Sequence, residues 1–297
     1  MPTKRRQGKI LIFGGSGQIG SVAIKRLSEN FDILNPTHKQ LDVLNKDKIL
    51  RFIVSNSPDQ ILYAAGYTNT DGAAQELAKS FTLNCGGIMD LTYIAARYKI
   101  PFHYLSTELV FNGLKNDEPY TEKDLPNPIL TNGKTKRLGE LVTLSSNSQN
   151  SVIRLIMCYS AFFPKKLDLA RLAISKTLNN QEFTATNDQY INPIYINHLV
   201  DSIRIILENR GNGLYQVGAT DYTTPYDFSK ELVKRLGLNH KLIKSTTFKK
   251  FSKTRPEPRP QHQWLDVSKF KKDFGKGILK SLDEGINDFK RDFKSLT

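Results

Sequence analysis

One stretch near the start of the chain restricts its fold more than any other: KILIFGGSGQIG at 9–20. Ile10, Leu11, Ile12 and Phe13 form an apolar run of strand length. The run breaks into Gly14-Gly15-Ser16-Gly17, and helical spacing follows through Gln18, Ile19, Gly20, Val22, Ile24 and Leu27. Glycines spaced G-x-x-G-x-x-G let the backbone turn tightly, approach a phosphate and seat the next helix on the strand. The start of that helix then offers N–H groups and partial positive charge to a pyrophosphate. A glycine-rich turn that binds nothing would carry the same letters. The strand-turn-helix setting favours nucleotide binding, with Gly14, Gly17, Gln18 and Ile19 as the contacts.

The segments that follow keep the alternation. A weak strand at 31–34 ends in Asn35-Pro36-Thr37-His38-Lys39. Dinucleotide folds place an acid there to grip ribose hydroxyls. Asn35 in that place, with Lys39 close by, suits a 2′-phosphate and so NADPH over NADH. Read as plain turn residues, the same letters leave NADH open. Next come Leu41-Asp42-Val43, a helix over 46–56, and a buried strand from Gln60 to Ala64-Ala65-Gly66, whose small residues leave room for a ligand. A long helix over 75–98 contains Asn84, and the strand 102–107 closes with Ser106 and Thr107. Strands and helices alternating at this length imply an α/β fold, a Rossmann-type doubly wound parallel sheet with helices on both faces. The expected division is a dinucleotide-binding domain over 1–158, rejoined by 190–217. A smaller C-terminal substrate lobe takes 159–189 and 218–297.

Beyond the first half the chain predicts a central strand at 151–159, with Cys158 as a small core residue, and helices at 167–180, 226–236 and 279–293. His198 opens another helix with no acidic partner in view, so it reads as structural. Arg255-Pro256-Glu257-Pro258-Arg259-Pro260 cannot be helical and reads as an extended loop. Trp264, the single tryptophan, suits either a base stack or a lobe interface.

Charge and cysteine usage narrow the function classes. The net charge is +14, and residues 239–297 hold fifteen Lys/Arg against seven Asp/Glu. Most of this reads as solvated surface, and no nucleic-acid motif accompanies it, so no specific nucleic-acid partner is expected. No apolar run approaches the ~20 residues that span a bilayer. The opening MPTKRRQGKI has no apolar stretch, so neither a signal peptide nor a membrane partner is expected. Cys85 and Cys158 are far apart with no Cys-x-x-Cys, which fits a reduced cytoplasmic location and no metal framework.

Several motifs occur together in a familiar order: GGSGQIG, LDV at 41–43, AAGYTNTD at 64–71, Asn84, STELVFNG at 106–113, NPILTNGKTKRLGE at 127–140, DQYINPIY at 188–195 and RPQHQWLD at 259–266. Across 8–275 the chain resembles dTDP-4-dehydrorhamnose reductase, an extended short-chain dehydrogenase/reductase family whose relatives include a regulatory subunit of methionine adenosyltransferase. The resemblance implies hydride transfer from NADPH (or NADH) to the C4 ketone of a nucleotide-linked deoxysugar, in surface-polysaccharide or nucleotide-sugar synthesis. It implies cofactor contacts at Gly14, Gly17, Gln18, Ile19, Asp42, Val43, Ala64, Ala65, Gly66 and Lys136. Thr107, with Ser106 beside it, is matched to the ketone. Arg255 and Arg259 are matched to the diphosphate, though both are equally readable as solvated loop residues. A homodimer is the assembly carried as an expectation.

The departure from the family lies on the helix that carries Lys136. The family pairs a Tyr with a Lys four residues on, which share one helical face. The Lys binds ribose and lowers the phenol's pKa, and the Tyr protonates the developing alkoxide. Aligned on NGKTK, the lysine is Lys136 and the position four before it is Asn132. An amide donates a hydrogen bond but yields no proton near neutral pH. Losing a positioned acid removes typically ~10²–10⁴-fold of rate. The expected catalytic set is therefore Thr107, Asn132 and Lys136. The open alternatives are another acid on the same scaffold, or a catalytically impaired NAD(P)-binding or regulatory protein.

Overall fold

The structure is a computed structural model that describes residues 7–162 and 167–295. The basic opening at 1–6, on which the signal-peptide expectation partly rests, lies outside the described residues. The chain runs β1 (Lys9–Phe13), α1 (Gln18–Leu27), β2 (Asp32–Leu34), α2 (Lys46–Asn56), β3 (Gln60–Tyr63), α3 (Leu77–Phe81), α4 (Gly87–Arg97), β4 (Phe102–Thr107), α5 (Thr131–Ser146) and β5 (Ser151–Leu155). It continues with β6 (Cys158–Tyr159), α6 (Leu169–Leu178), β7 (Phe183–Thr186), β8 (Ile194–Tyr195), α7 (Ile196–Glu208), β9 (Gly213–Val217), α8 (Pro225–Arg235), β10 (Ile243–Thr246), α9 (Phe248–Ser252), α10 (Ser268–Phe274) and α11 (Leu282–Lys294).

Six strands form one sheet in the order β2-β1-β3-β4-β5-β9, and β1 pairs in parallel with both β2 and β3, as β3 does with β4. Helices cover both faces, as expected from the alternation. Ile10, Leu11, Ile12, Ile61 and Leu62 are therefore buried on successive positions rather than alternate ones. One face packs Ile49 and Ile53 of α2 and Ile88, Leu91 and Ile94 of α4 against Leu11, Tyr63 and Phe102.

Two expected elements are interrupted. The helix read over 75–98 is α3, then a π-helical turn over Thr82–Gly86, then α4. The extra residue in that turn re-aims Asn84, and such insertions recur at functional sites. The strand read over 151–159 ends at Leu155, and its last two residues pair with β8 in a separate small ladder. Met157 between them has φ +23°, a conformation no strand interior adopts.

The chain forms two compact units. Among the described residues, the first comprises 7–110, 130–154 and 200–215; the second comprises 111–129, 155–162, 167–199 and 216–295. Residues 111–129 thus group with the second unit rather than with the sheet that precedes them. The reason is local. Tyr120 stacks on Phe111 at 4.2 Å, its N–H donates to Trp264 O at 3.0 Å, and its carbonyl accepts from Asp266 N at 2.7 Å. The second unit has its own core of Ala173 on α6, Val233 on α8 and Ile243 on β10.

Candidate active site

The glycine turn sits where β1 feeds α1. Gly14 has φ +86°, and a methyl on it would lie 2.4 Å from Ala65 N and 2.6 Å from the Ala64 carbonyl carbon. Only glycine fits there, and the requirement brings the turn against the predicted Ala64-Ala65-Gly66 strand end. Gly17 N donates to Gly14 O at 2.9 Å, and Gly17 caps α1 with backbone alone. Asn35 lies beside the turn: a methyl on Gly15 would meet its Oδ1. Val43 is buried beside Gly87, whereas Asp42 is half-exposed, accepting from Leu44 N at 2.9 Å and lying 3.8 Å from His38 Nε2.

Lys136 is 7% exposed, unusually buried for a lysine. Its Nζ donates to Leu105 O at 2.8 Å and lies 4.6 Å from the centre of the Tyr104 ring. Loss of water around the ammonium pulls its pKa down to about 7, against the pull of Glu140. A methyl on Gly66 would lie 2.9 Å from both this Nζ and Asn84 Oδ1. Asn84, aimed by the π turn, accepts Tyr67 N at 3.0 Å and donates to Thr135 Oγ1 at 3.0 Å. Gly66, Asn84 and Lys136 are thus gathered at one place, one helical turn from Asn132.

Asn132 is buried, and its Nδ2 donates to Tyr67 O at 2.7 Å. The hydroxyls of three tyrosines in this region are each engaged elsewhere. Tyr104 donates to Asn84 O at 2.7 Å, Tyr63 to Leu83 O at 2.9 Å, and Tyr67 to the Glu76 carboxylate. Burial raises the Tyr63 and Tyr104 hydroxyls above their ordinary range, and the bond to Glu76 raises that of Tyr67.

Ser106 and Thr107 diverge at the end of β4. Ser106 Oγ donates to Glu140 Oε1 at 2.6 Å. Glu140 is fully buried, with Arg154 in a two-pronged pair at 2.8 Å and Arg137 at 2.9 Å. Ser106 therefore belongs to a buried ionic cluster, a partner its strand-end position did not suggest. Thr107 Oγ1 donates to Glu108 Oε2 at 2.6 Å. Glu108 is buried, and desolvation raises its carboxyl to about 7 against the hydrogen bonds from Thr107 and its own backbone. Sequence reading passed over this acid, though the signal was present: a carboxyl directly after the strand-ending Thr of STELVF.

The second unit holds a cleft of about 430 Å³ lined by Asn112, Gly113, Asn127, Phe248, Arg259 and His262, among others. Gly113 has φ +79°, and a methyl on it would lie 2.5 Å from Gln261 N, so the loop after STELVF and the RPQHQW strip touch through backbone. Arg259 lines the cleft. Arg255 does not; its guanidinium stacks on Phe251 at 4.2 Å. Trp264 joins an aromatic cluster with Tyr190 at 5.5 Å and Tyr222 at 4.4 Å. His198 has an acidic partner after all, Asp288 of α11, at 2.8 Å. Among the described residues no group of His, Cys, Asp or Glu is arranged to hold a metal, and no helix is long and apolar enough to cross a membrane.

Comparison with known proteins places this arrangement. The model of the RmlD substrate binding domain matches residues 8–294. The chain belongs to that family. It is 27% identical over 282 residues to a dTDP-4-dehydrorhamnose reductase of Aggregatibacter actinomycetemcomitans, covering 90% of this chain and 93% of the relative. It is also 27% identical over 262 residues to the spore coat polysaccharide biosynthesis protein SpsK of Bacillus subtilis, covering 86% and 88%. Among solved structures, the dTDP-4-dehydrorhamnose reductase of Bacillus anthracis in complex with NADP superposes with a TM-score of 0.88 at 22% identity, over 96% of this chain and 99% of the other. That likeness carries the fold of this RmlD-family chain, a Rossmann-type α/β sheet.

Proposed function

We infer that this chain is an NAD(P)H-dependent oxidoreductase acting on a nucleotide-linked 4-keto-6-deoxysugar, in the cytoplasm, within surface-polysaccharide or nucleotide-sugar synthesis. The observation that carries the reading is a buried lysine, Lys136, seated against Gly66 and Asn84 in a chain matched to the family from 8 to 294. The residues suit a dinucleotide. Gly14 and Gly17 give a turn of backbone alone at the start of α1, and the Asn35 end of β2 carries no acid against a 2′-phosphate. Gln18 and Ile19 would take the pyrophosphate, Asp42, Val43, Ala64 and Ala65 the adenosine side, and Gly66 and Lys136 the nicotinamide ribose. When bound, the reduced nicotinamide supplies the hydride. Thr107, at the end of β4, is the candidate to orient a ketone by hydrogen bond. In the second unit, Arg259 is the candidate for a diphosphate, since a guanidinium fork suits phosphate oxygens. The unpaired Cys85 and Cys158 fit a reducing compartment. A homodimer is supported by exposed apolar side chains on adjacent helices, Met89 and Tyr93 on α4 with Leu138 and Leu141 on α5.

A second reading, a cofactor-binding regulatory protein without turnover, is favoured by Asn132, whose amide is committed to Tyr67 O. One assay separates the two. Titrating the purified chain with NADPH and then adding dTDP-4-keto-6-deoxysugars, dTDP-4-dehydrorhamnose among them, is expected to show saturable cofactor fluorescence followed by its loss through oxidation. Saturation without oxidation selects the regulatory reading, and no saturation removes both.

A further inference from the structure

By the resemblance, the family's proton source falls at position 132, where this chain has Asn132 on α5; an acid lies instead at the end of β4. Thr107, matched to the ketone, has its Oγ1 2.6 Å from Glu108 Oε2. Glu108 opens the short helical turn Glu108–Val110 that follows β4, and the whole residue is buried. Helix α5 packs against this turn and carries four charged side chains, of which Lys134 is exposed and the other three are engaged elsewhere. Lys136 Nζ donates to Leu105 O, and Arg137 pairs with Glu140, which also holds Arg154. With no cation paired to it by these groups, the buried carboxylate is costly and the neutral acid is favoured. This agrees with a carboxyl raised to about 7, against an ordinary value near 4.5.

Resting on the reductase reading, we propose that Glu108 is the proton reservoir of this site, delivering through Thr107 the proton that a tyrosine would otherwise supply. In the neutral form the short hydrogen bond reverses: Glu108 donates to Thr107 Oγ1, which frees the threonine hydroxyl to donate to the ketone oxygen. As the carbonyl carbon accepts the hydride, its π pair moves onto oxygen. That oxygen takes the Thr107 proton while Thr107 takes the Glu108 proton. The products are a secondary alcohol, an oxidised nicotinamide, an intact threonine and a Glu108 carboxylate, which regains its proton from water. The relay explains how Asn132 can be spent on Tyr67 O without removing acid from the site.

The test combines a spectroscopic and a kinetic readout. Infrared difference spectra of the wild-type chain between pH 5 and pH 9 are expected to contain a protonated-carboxyl band titrating near pH 7, absent in Glu108→Gln. With NADPH and dTDP-4-dehydrorhamnose, Glu108→Gln is expected to lose about 10²–10⁴-fold in kcat, the usual worth of a positioned acid. Glu108→Asp, which keeps the carboxyl on a shorter arm, is expected to recover part of that loss. Wild-type kcat is expected to fall above pH 7, and Thr107→Val to abolish the fall together with most of the rate. A wild type that turns over while lacking the band, or a folded Glu108→Gln with unchanged kcat, overturns the relay and leaves the reductase reading standing. A wild type that binds NADPH and never turns over overturns both.

Discussion

Asn132 Nδ2 donates to Tyr67 O at 2.7 Å, tying the first turn of α5 to the segment that follows Gly66. That face of the helix holds a backbone carbonyl in place. The same segment is held a second time, by Asn84 Oδ1 accepting Tyr67 N at 3.0 Å. Tyr67 is thus gripped at both ends of its own backbone, and Lys136, one turn along α5, inherits a fixed distance to Gly66. Removing the amide with Asn132→Ala leaves a buried carbonyl unpaired and should cost about 1–3 kcal/mol in urea unfolding. Asn132→Tyr should also destabilise, by a similar ~1–3 kcal/mol, because a ring is forced into a packed site. In exchange it should extend turnover to alkaline pH, since a phenol remains protonated where Glu108 is ionised. Lys136 also titrates near 7, so the check is a pH–rate profile of Asn132→Tyr beside Asn132→Tyr/Glu108→Gln; a fall above pH 7 in the single variant that the added Glu108→Gln removes would count against it.

Gly14→Ala places a methyl 2.4 Å from Ala65 N on a residue with φ +86°. The left-handed backbone alone costs roughly 1–2 kcal/mol, and the backbone clash cannot be relieved by a rotamer. NADPH affinity should drop at least about tenfold, the worth of ~1.4 kcal/mol, with a lower melting temperature. Fluorescence titration beside a thermal melt measures both, and an unchanged affinity would separate the turn from cofactor binding.

How much of this could be read from the chain depends on the range of the interaction. The β1–turn–α1 unit and the α2 boundaries follow from neighbours in sequence, so they were legible; the contact of Gly14 with Ala64-Ala65, fifty positions on, was not. Register within NGKTK singled out Lys136, but its burial and its bond to Leu105 O join α5 to β4 and had no signal in the sequence. Ser106, Glu140 and Arg154 were not legible either, because their cluster joins residues on β4, α5 and β5 whose letters show no spacing rule. The same holds for His198 with Asp288, ninety positions apart. The π turn at Thr82–Gly86 escaped because one inserted residue leaves the apolar pattern of 81–95 almost unchanged. Glu108 escaped for a different reason: its importance comes from burial, which a single letter after a strand does not announce.

The cluster around Glu140 gives a prediction on stability. Its carboxylate is fully buried and satisfied by Arg154, Arg137 and Ser106. Truncating one partner strands a charge out of water, so Arg154→Ala should cost about 3–5 kcal/mol. Ser106→Ala removes a single hydrogen bond to a charge and should cost about 1.5–3 kcal/mol. Denaturant midpoints for the two variants should rank in that order. The reverse order would place the weight of the cluster on the hydroxyl.

His103 sets an acid limit on the fold. It is fully buried on β4, with Nδ1 2.7 Å from Ser151 Oγ and Nε2 3.0 Å from Gln60 Oε1. Burial and the charge of Arg210 depress its pKa to about 3, so the folded state holds it neutral. Unfolded chains bind that proton from about pH 6.5 downward. The unfolded state therefore takes up more protons, and stability should fall by up to about 1.4 kcal/mol per pH unit between roughly pH 6.5 and 3. His103→Gln should flatten this slope in urea titrations across that range, while a slope kept by the variant would assign it to the carboxylates.

The two loop arginines make opposite predictions because the structure separates them. Arg259 lines the cleft of the second unit with Asn112, Asn127 and His262, whereas Arg255 is exposed and stacked on Phe251. A guanidinium that meets a diphosphate in a partly desolvated cleft contributes on the scale of a charged hydrogen bond, about 1.5–3 kcal/mol. Arg259→Ala should therefore raise KM for a nucleotide-linked sugar by roughly 10–100-fold with little change in kcat, because the contact is equal in ground and transition states. Arg255→Ala should leave KM within about twofold, the range of an exposed charge. Steady-state kinetics of both variants, with free dTDP as a competitive inhibitor, separates diphosphate recognition from folding. If dTDP inhibits Arg259→Ala as well as it does the wild type, the cleft is not the diphosphate site.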